Sequence, residues 1–392
     1  MRIDLFRMER TQSVYENQVE YNLSESGVTP LTVEELLAGS DESENIGAIE
    51  LKYPQSNGSE ELRDRIGAFY GAKRENVLVA NGGSEANFLS IFSLVEKSDH
   101  VAVMLPNYMQ TWGLAGAFGA SADAFWMEEQ NAGGKQRWGL DIDSLHKAVG
   151  KKTKMIVVTN PNNPTGGVLS EEEMDEVVRV ARKANAWLLA DEIYRGAELD
   201  GQTSPTFWGR YDKLLITSGL SKAFGMPGLR IGWIVAAPKV VEKLWSYKDY
   251  TTISLGAVSD RLASIAMEPK KRERVLERTR GVLRRQLPRL EQWIHSHDDI
   301  FTYIPPVAGA IAYIRYKLPI SSTALCVKLR EQESVLINPG DQFGMGKYLR
   351  VGFGYDMEYT LRGLERVDRV IAELQKKAGN PARAKAARRG AA

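Results

Sequence analysis

At 392 residues the chain exceeds the roughly 250–300 at which a single core tends to split, so two domains are expected. Its 43% hydrophobic and 26% charged residues are the balance of a globular enzyme and exclude a disordered or fibrous chain. A formal net charge of +1 excludes a general electrostatic attraction to nucleic acid or to a membrane surface.

That near-neutrality hides an asymmetry. From Lys376 onward the chain carries six cations and no acid, in an Ala/Gly/Arg-rich stretch with no apolar face, and residues 377–392 are expected to be a frayed, solvated tail. Cys326 is the only cysteine, so no internal disulfide or cysteine metal cluster forms. The four histidines (His100, His146, His295 and His297) are scattered, and no metal is expected. The first residues contain no apolar signal core and no run of roughly 18 apolar residues occurs, so a cytoplasmic protein is expected.

In chain order, helix Glu60–Tyr70 is followed by strand Val77–Ala80, helix Glu85–Val95, strand Val101–Leu105 and helix Tyr108–Phe118. Strand Lys154–Val158 leads to helix Glu171–Asn185, opened by a capping box of Ser170 and Glu173. Strands Trp187–Ala190, Lys213–Thr217 and Arg230–Ala236 complete the set. These strands are near-continuous apolar runs, which suits a parallel sheet covered on both faces. A charge-rich helical region covers Val241 to Ser296. Strands Phe301–Ile304 and Ala310–Tyr316, a helix near Thr323–Glu331, strands Val335–Asn338 and Tyr348–Gly352, and a closing helix Met357–Lys376 predict a smaller α+β unit.

Polar residues gather where these strands end, the place where open α/β sheets bind ligands. Lys222 sits in Ser218-Gly-Leu-Ser-Lys-Ala-Phe-Gly-Met-Pro-Gly-Leu-Arg-Ile-Gly-Trp233, a tight turn leaving a buried strand. Such a lysine is suited to be a desolvated amine that condenses with a carbonyl, and Arg230 eight residues on suits a phosphate. Asn81-Gly-Gly-Ser-Glu85 leaves backbone N–H groups free at a helix N-terminus, and reads equally as an ordinary turn or an anion cradle. Two prolines stiffen Thr159-Asn-Pro-Asn-Asn-Pro-Thr-Gly166. Asp191, at the end of an apolar strand, requires a cation, a cap or an internal ion pair.

Together and in this order, with the late Leu349-Arg-Val-Gly-Phe353, these strings resemble the class I/II aminotransferase family of fold-type I pyridoxal-phosphate enzymes. The resemblance covers nearly everything from Asn22 to about Lys376 and implies a three-layer sandwich around a mostly parallel sheet plus the smaller α+β domain. It divides the chain into an N-terminal segment, 1–45, packing with the small domain, a large cofactor-binding domain, 46–285, and a small domain, 286–376.

The resemblance implies pyridoxal 5′-phosphate held as a Schiff base on Lys222, with Asp191 pairing the pyridinium nitrogen. Asn163 and Tyr194 would bond the phenolic oxygen, while Gly83, Ser84, Ser221 and Arg230 would hold the phosphate. Tyr108 would stack on the ring, and Tyr53 would reach the phosphate from the neighbouring subunit of a homodimer. Arg350 would grip the substrate α-carboxylate. The implied reaction moves an amino group between an α-amino acid and a 2-oxo acid.

One departure stands out. The family usually has Gly-x-Pro near the N-terminus; here Ser26 stands where the glycine is expected, in Asn22-Leu-Ser-Glu-Ser-Gly-Val28, and the proline is absent. Ser26 is therefore a candidate substrate-binding residue. Ser26-Gly-Val28, the Lys222 string and Lys248-Asp-Tyr-Thr-Thr-Ile-Ser-Leu255 resemble capreomycidine synthase, a relative that dehydrates and cyclises its substrate. An elimination or cyclisation enzyme is thus the alternative. A non-catalytic sensor is a third reading, opposed by the intact lysine and by the lack of a helix-turn-helix ahead of the sheet.

Overall fold

The computed structural model describes residues 3–38 and 46–378; the expected tail lies outside the described residues beyond the last turns of the closing helix. Eight strands form the central sheet. From one edge the order is Val77–Ala80, Gly232–Ala236, Leu214–Gly219, Trp187–Asp191, Thr153–Thr159, His100–Leu105, Ser121–Ala132 and Lys135–Leu140. The five from Leu214–Gly219 to Ser121–Ala132 run parallel, whereas Gly232–Ala236 and the final Lys135–Leu140 run antiparallel to their neighbours.

Why this sheet is buried on both sides follows from its residues. Val79, Met104, Ile156, Ala190 and Ile216 point into the core layer beneath helices Glu60–Tyr70, Glu171–Ala184 and Ala257–Met267. Their neighbours Leu78, Val103, Val157, Leu189 and Leu215 point into the opposite layer, against Gly82–Leu94, Gln110–Ala117 and Pro238–Lys248. Period-two alternation between two apolar environments is what a continuous apolar run becomes in a three-layer sandwich.

A second, antiparallel sheet orders Phe301–Tyr303, Ile311–Tyr316, Tyr348–Gly352 and Asn338–Pro339. The N-terminal segment joins this part of the chain, since Tyr21–Asn22 pairs in parallel with Val335–Leu336. Helix Pro269–His295 runs unbroken through the expected boundary at residue 285. On it, Arg280 is buried, donates to the Gly196 carbonyl and the Thr203 hydroxyl, and faces Glu198, which ties the helix to the loop behind Tyr194.

Four expectations need correction. Arg230 does not open a strand; it adopts a left-handed conformation (φ 51°) and the strand starts at Gly232. Val335–Asn338 is two short strands in two different sheets. Residues 241–296 form three helices, Pro238–Lys248, Ala257–Met267 and Pro269–His295, because Gly256 and the Glu268-Pro269 step each begin a new one. The hairpin Ser121–Ala132/Lys135–Leu140 was not anticipated, although its Gly133-Gly134 turn, with both φ angles positive (60° and 81°), is a recognisable hairpin signal.

Glu192 follows Asp191 and points the other way, fully buried. Its Oε1 accepts from the Phe207 N–H and the Thr206 hydroxyl at 2.9 Å, while Oε2 has no hydrogen-bond partner and Arg195 Nε stands 3.9 Å off. Burial pushes its pKa up to about 7, with Arg195 opposing. The folded state therefore holds a proton that the unfolded state has released, so Glu192 lowers stability as pH rises from the ordinary carboxylate range through about 7. Glu192→Gln is expected to gain stability relative to the wild type between pH 5 and pH 8, by about 1–3 kcal/mol, in urea denaturation at the two values. A pH-independent difference would show that Glu192 is ionised throughout.

Candidate active site

A cavity of about 530 Å³ opens at the carboxyl ends of the parallel strands. It lies beside the step between His100–Leu105 and Thr153–Thr159, where the chain order of neighbouring strands reverses. Strand-end polarity there is not accidental packing. Thr159, Asp191 and Thr217 stand in register across three strands, and each is satisfied locally. Thr159 donates to Asn107 Oδ1 and Thr217 donates to Asn87 Oδ1.

Asp191 accepts from Asn87 Nδ2 at 3.1 Å and from the Ile193 N–H at 3.1 Å. Burial raises its pKa against these two bonds, and among the described residues no cation pairs with it. A carboxylate so placed is costly in isolation and fits a positively charged ring nitrogen arriving from the cavity.

Lys222 lies in the turn after Leu214–Gly219. The turn is closed by Met226 N–H to the Leu220 carbonyl (2.9 Å) and Gly225 N–H to the Lys222 carbonyl (3.2 Å). Burial holds the lysine amine below its ordinary range; Glu25 and Glu9 oppose this shift, and Arg350 and Arg230 add to it. A lowered pKa leaves more of the amine neutral, the form that attacks a carbonyl.

Close by is an anion cradle. Helix Gly82–Leu94 begins on Gly82 in a left-handed conformation (φ 82°), three residues earlier than its sequence pattern suggests. A Cβ at Gly82 would overlap the Arg230 guanidinium, and one at Gly232 would overlap the Gly82–Gly83 backbone. These two glycines let the helix start, the antiparallel strand and Arg230 converge. The Gly83 and Ser84 amides, the Ser221 side chain and Arg230 thus border one corner of the cavity.

Arg350, on strand Tyr348–Gly352, is 1% exposed. Its Nη1 donates to Asn163 Oδ1 at 3.0 Å and its Nη2 to the Ser24 carbonyl at 2.6 Å, but Nε is buried without a partner. No acid pairs with it among the described residues, and burial lowers its pKa. The Tyr194 hydroxyl is likewise buried and unpartnered beside Ser26; burial pushes its pKa up to about 12 although Arg350 and Ser26 oppose the shift. Gly309, at φ 85°, allows the backbone to pass close over the Tyr194 ring.

Tyr108 lines the cavity, its hydroxyl donating to Glu9 Oε1 at 2.8 Å and its ring meeting Phe6 edge-on at 4.7 Å. Sequence reasoning missed this side of the site. Helix Arg7–Tyr15 and the following residue turn Glu9, Gln12, Ser13 and Glu16 toward the cavity. Gln12 also anchors the helix by donating to Ser24 Oγ at 3.0 Å. The signal was present as a polar face at i, i+3, i+4 and i+7. Asn87 was missed too, having no motif beyond its place one turn into a helix. Of the expected residues only Tyr53 lies away from the cavity, 82% exposed on the surface.

The two orphaned donors and the unpaired carboxylate fit pyridoxal phosphate with a carboxylate substrate, and the comparisons agree. Residues 21–367 match the aminotransferase class I and II family. The chain is similar to capreomycidine synthase of Streptomyces vinaceus, 28% identical with 89% of each chain covered. It is also similar to an aspartate aminotransferase of Streptomyces avermitilis, 26% identical, covering 83% of this chain and 82% of the other. Among solved structures, a PLP-dependent aminotransferase from Streptococcus suis superimposes with a TM-score of 0.87, at 31% identity over 95% of this chain and 99% of the other. The PLP-dependent cyclase OrfR gives 0.84, at 25% identity over 95% and 98%. The chain belongs to the class I and II aminotransferase family, and its cofactor is pyridoxal 5′-phosphate.

Proposed function

We propose that the protein transfers an amino group between an α-amino acid and a 2-oxo acid, with Lys222 as the residue that binds the cofactor covalently and moves the proton. The observation that carries this reading is Arg350: a buried guanidinium with a free Nε, no acid partner, and a place in the same cavity as Lys222 and Asp191. A buried cation without a counter-charge is stable only if a ligand supplies one, and a substrate α-carboxylate does.

Pyridoxal 5′-phosphate, when bound, supplies the aldehyde and an electron-withdrawing ring that stabilises negative charge at the substrate α carbon. Asp191, its carboxylate fixed by Asn87, would pair with the ring nitrogen and keep it protonated. Gly83, Ser84, Ser221 and Arg230 would hold the phosphate, Tyr108 would stack on the ring, and Asn163 and Tyr194 would bond its hydroxyl. Lys222, held partly neutral by burial, would take the α proton and return it two atoms away, on the carbon that the cofactor's aldehyde supplies.

The wild-type protein treated with borohydride in the presence of pyridoxal phosphate should gain the mass of one reduced cofactor on the peptide containing Lys222. Lys222→Ala should gain none and lose at least about 10³-fold in turnover. Labelling elsewhere with activity retained would remove Lys222 from this role.

Arg350→Gln keeps a hydrogen bond but removes the charge. It is expected to raise KM for the amino acid by about 10–100-fold and to leave KM for amines lacking a carboxylate unchanged. Equal losses for both kinds of amine would place Arg350 in a structural role.

Elimination or cyclisation is the second reading, favoured by Ser26 beside Tyr194 and by the similarity to capreomycidine synthase and OrfR. Incubation with excess amino acid and no 2-oxo acid separates the two, since transfer stops after one equivalent of 2-oxo acid per cofactor whereas elimination continues.

Exposed Tyr53, in Tyr-Pro-Gln-Ser-Asn-Gly, supports a homodimer in which it reaches its neighbour's phosphate. Light scattering should give twice the 43.7 kDa chain mass, and Tyr53→Phe should weaken cofactor retention about tenfold. A monomer that retains cofactor would end this reading.

A further inference from the structure

The string Lys248-Asp-Tyr-Thr-Thr-Ile-Ser-Leu255 has no part in the proposed reaction, yet Lys248 within it is 0% exposed. Lys248 ends helix Pro238–Lys248, and the chain folds back over it. Its Nζ donates to Thr252 Oγ1 at 3.1 Å and to the Ile253 carbonyl at 3.0 Å, both neutral partners. Ile253 is held at φ 60°, a left-handed conformation that a β-branched residue rarely adopts, so the loop around the ammonium carries backbone strain. Burial lowers the lysine's pKa, and Glu85 and Asp249 oppose the shift. A buried ammonium among neutral dipoles is costly unless a counter-charge stands close behind them.

That counter-charge is Glu85, one hydroxyl away. Thr252 donates to Glu85 Oε1 at 2.7 Å while accepting from Lys248, and Thr251 donates to the same oxygen. The other oxygen, Oε2, accepts the N–H of Asn81, the N-cap residue of helix Gly82–Leu94. Asn81 Nδ2 in turn donates to the Ser254 carbonyl at 3.3 Å. The loop after Lys248 is thus tied at two points to the turn whose Gly83 and Ser84 residues border the anion corner of the cavity. A carboxylate in the first turn suits the helix dipole. It also adjoins the place that the proposed function gives to a phosphate, a reading on which this inference rests. Left alone, its charge would repel that phosphate.

We infer that Glu85 and Lys248 are positioning residues for the cofactor's phosphate: Glu85 fixes the start of its helix, and Lys248, acting through Thr252, cancels the charge that Glu85 would otherwise present to the anion. Neither residue lines the cavity, so both act through the helix start and through space.

The test frees the full-length protein of cofactor and measures its affinity for pyridoxal 5′-phosphate and for pyridoxal. The two share an aldehyde and a ring, so the ratio of their dissociation constants isolates the phosphate. Lys248→Met leaves the Glu85 charge uncancelled and should lower the preference for the phosphorylated form about three- to tenfold. Glu85→Gln keeps the side chain's length and an acceptor for the Asn81 N–H, leaves Lys248 positive, and should raise the preference by about the same factor. The double variant should return to within about twofold of the wild type. Opposite signs distinguish this role from a merely structural one, in which each single variant loosens the helix start and lowers the preference. A preference that Glu85→Gln lowers, or that Lys248→Met leaves unchanged or raises, would overturn the inference, and each variant decides this alone if the other fails to fold. A wild-type protein that binds both forms equally removes the phosphate site itself from the proposed function, and the inference with it.

Discussion

Two charges without partners organise this protein. Arg350 is a guanidinium taken almost wholly out of water, and Asp191 is a carboxylate at the end of an apolar strand; neither is neutralised within the described chain. Breaking a buried ion pair typically costs about 3–5 kcal/mol, so a fold that retains two half-pairs is committed to ligands that complete them. The rest of the architecture holds these halves at the right separation and keeps them from finding each other or a local substitute.

That holding is done by neutral hydrogen bonds and close backbone approach. Asn87 bridges Asp191 and Thr217, and so fixes the carboxylate from a helix packed on the sheet. Asn163 and the Ser24 carbonyl take up two of the five N–H donors of the Arg350 guanidinium without cancelling its charge. The Ser24 carbonyl lies on the N-terminal segment that pairs with Val335–Leu336, so the guanidinium is fixed from two distant parts of the chain. Glycine is used where side chains would keep parts apart: Gly82 lets Arg230 settle over the start of its helix. Arg280 and Glu198 brace the loop behind Tyr194 from helix Pro269–His295.

What the sequence made legible follows the same division. The residues proposed to meet the cofactor stand in strings dictated by local backbone geometry: a glycine turn opening a helix, a proline-stiffened loop, a carboxylate ending a strand. Such strings survive as readable text because each needs particular neighbours to adopt its shape. All of the central-sheet strands that carry the site were visible as apolar runs. The hairpin of Ser121–Ala132 and Lys135–Leu140 was not, because its polar, half-exposed alternation resembles a loop unless Gly133-Gly134 is read as its turn. Asn87 and the cavity-facing side of helix Arg7–Tyr15 escaped for a different reason. Their function lies in what they face across the fold, and a polar helical face looks the same whether it meets solvent or an active site.

The N-terminal helix shows how specificity can be added to a site whose chemistry is fixed elsewhere. The residues proposed to face the cofactor stand at strand ends, in the turns after them and at the start of helix Gly82–Leu94. The wall supplied by residues 6–16 and 24–26 is tied down through Gln12 to Ser24 and through Tyr108 to Glu9, and bears no sheet strand of the large core. Glu9 and Glu25, both on this wall, act electrostatically on Lys222 and Arg350 across the cavity. Glu16 stands at the negative end of its own helix, where helix stability alone favours a cation.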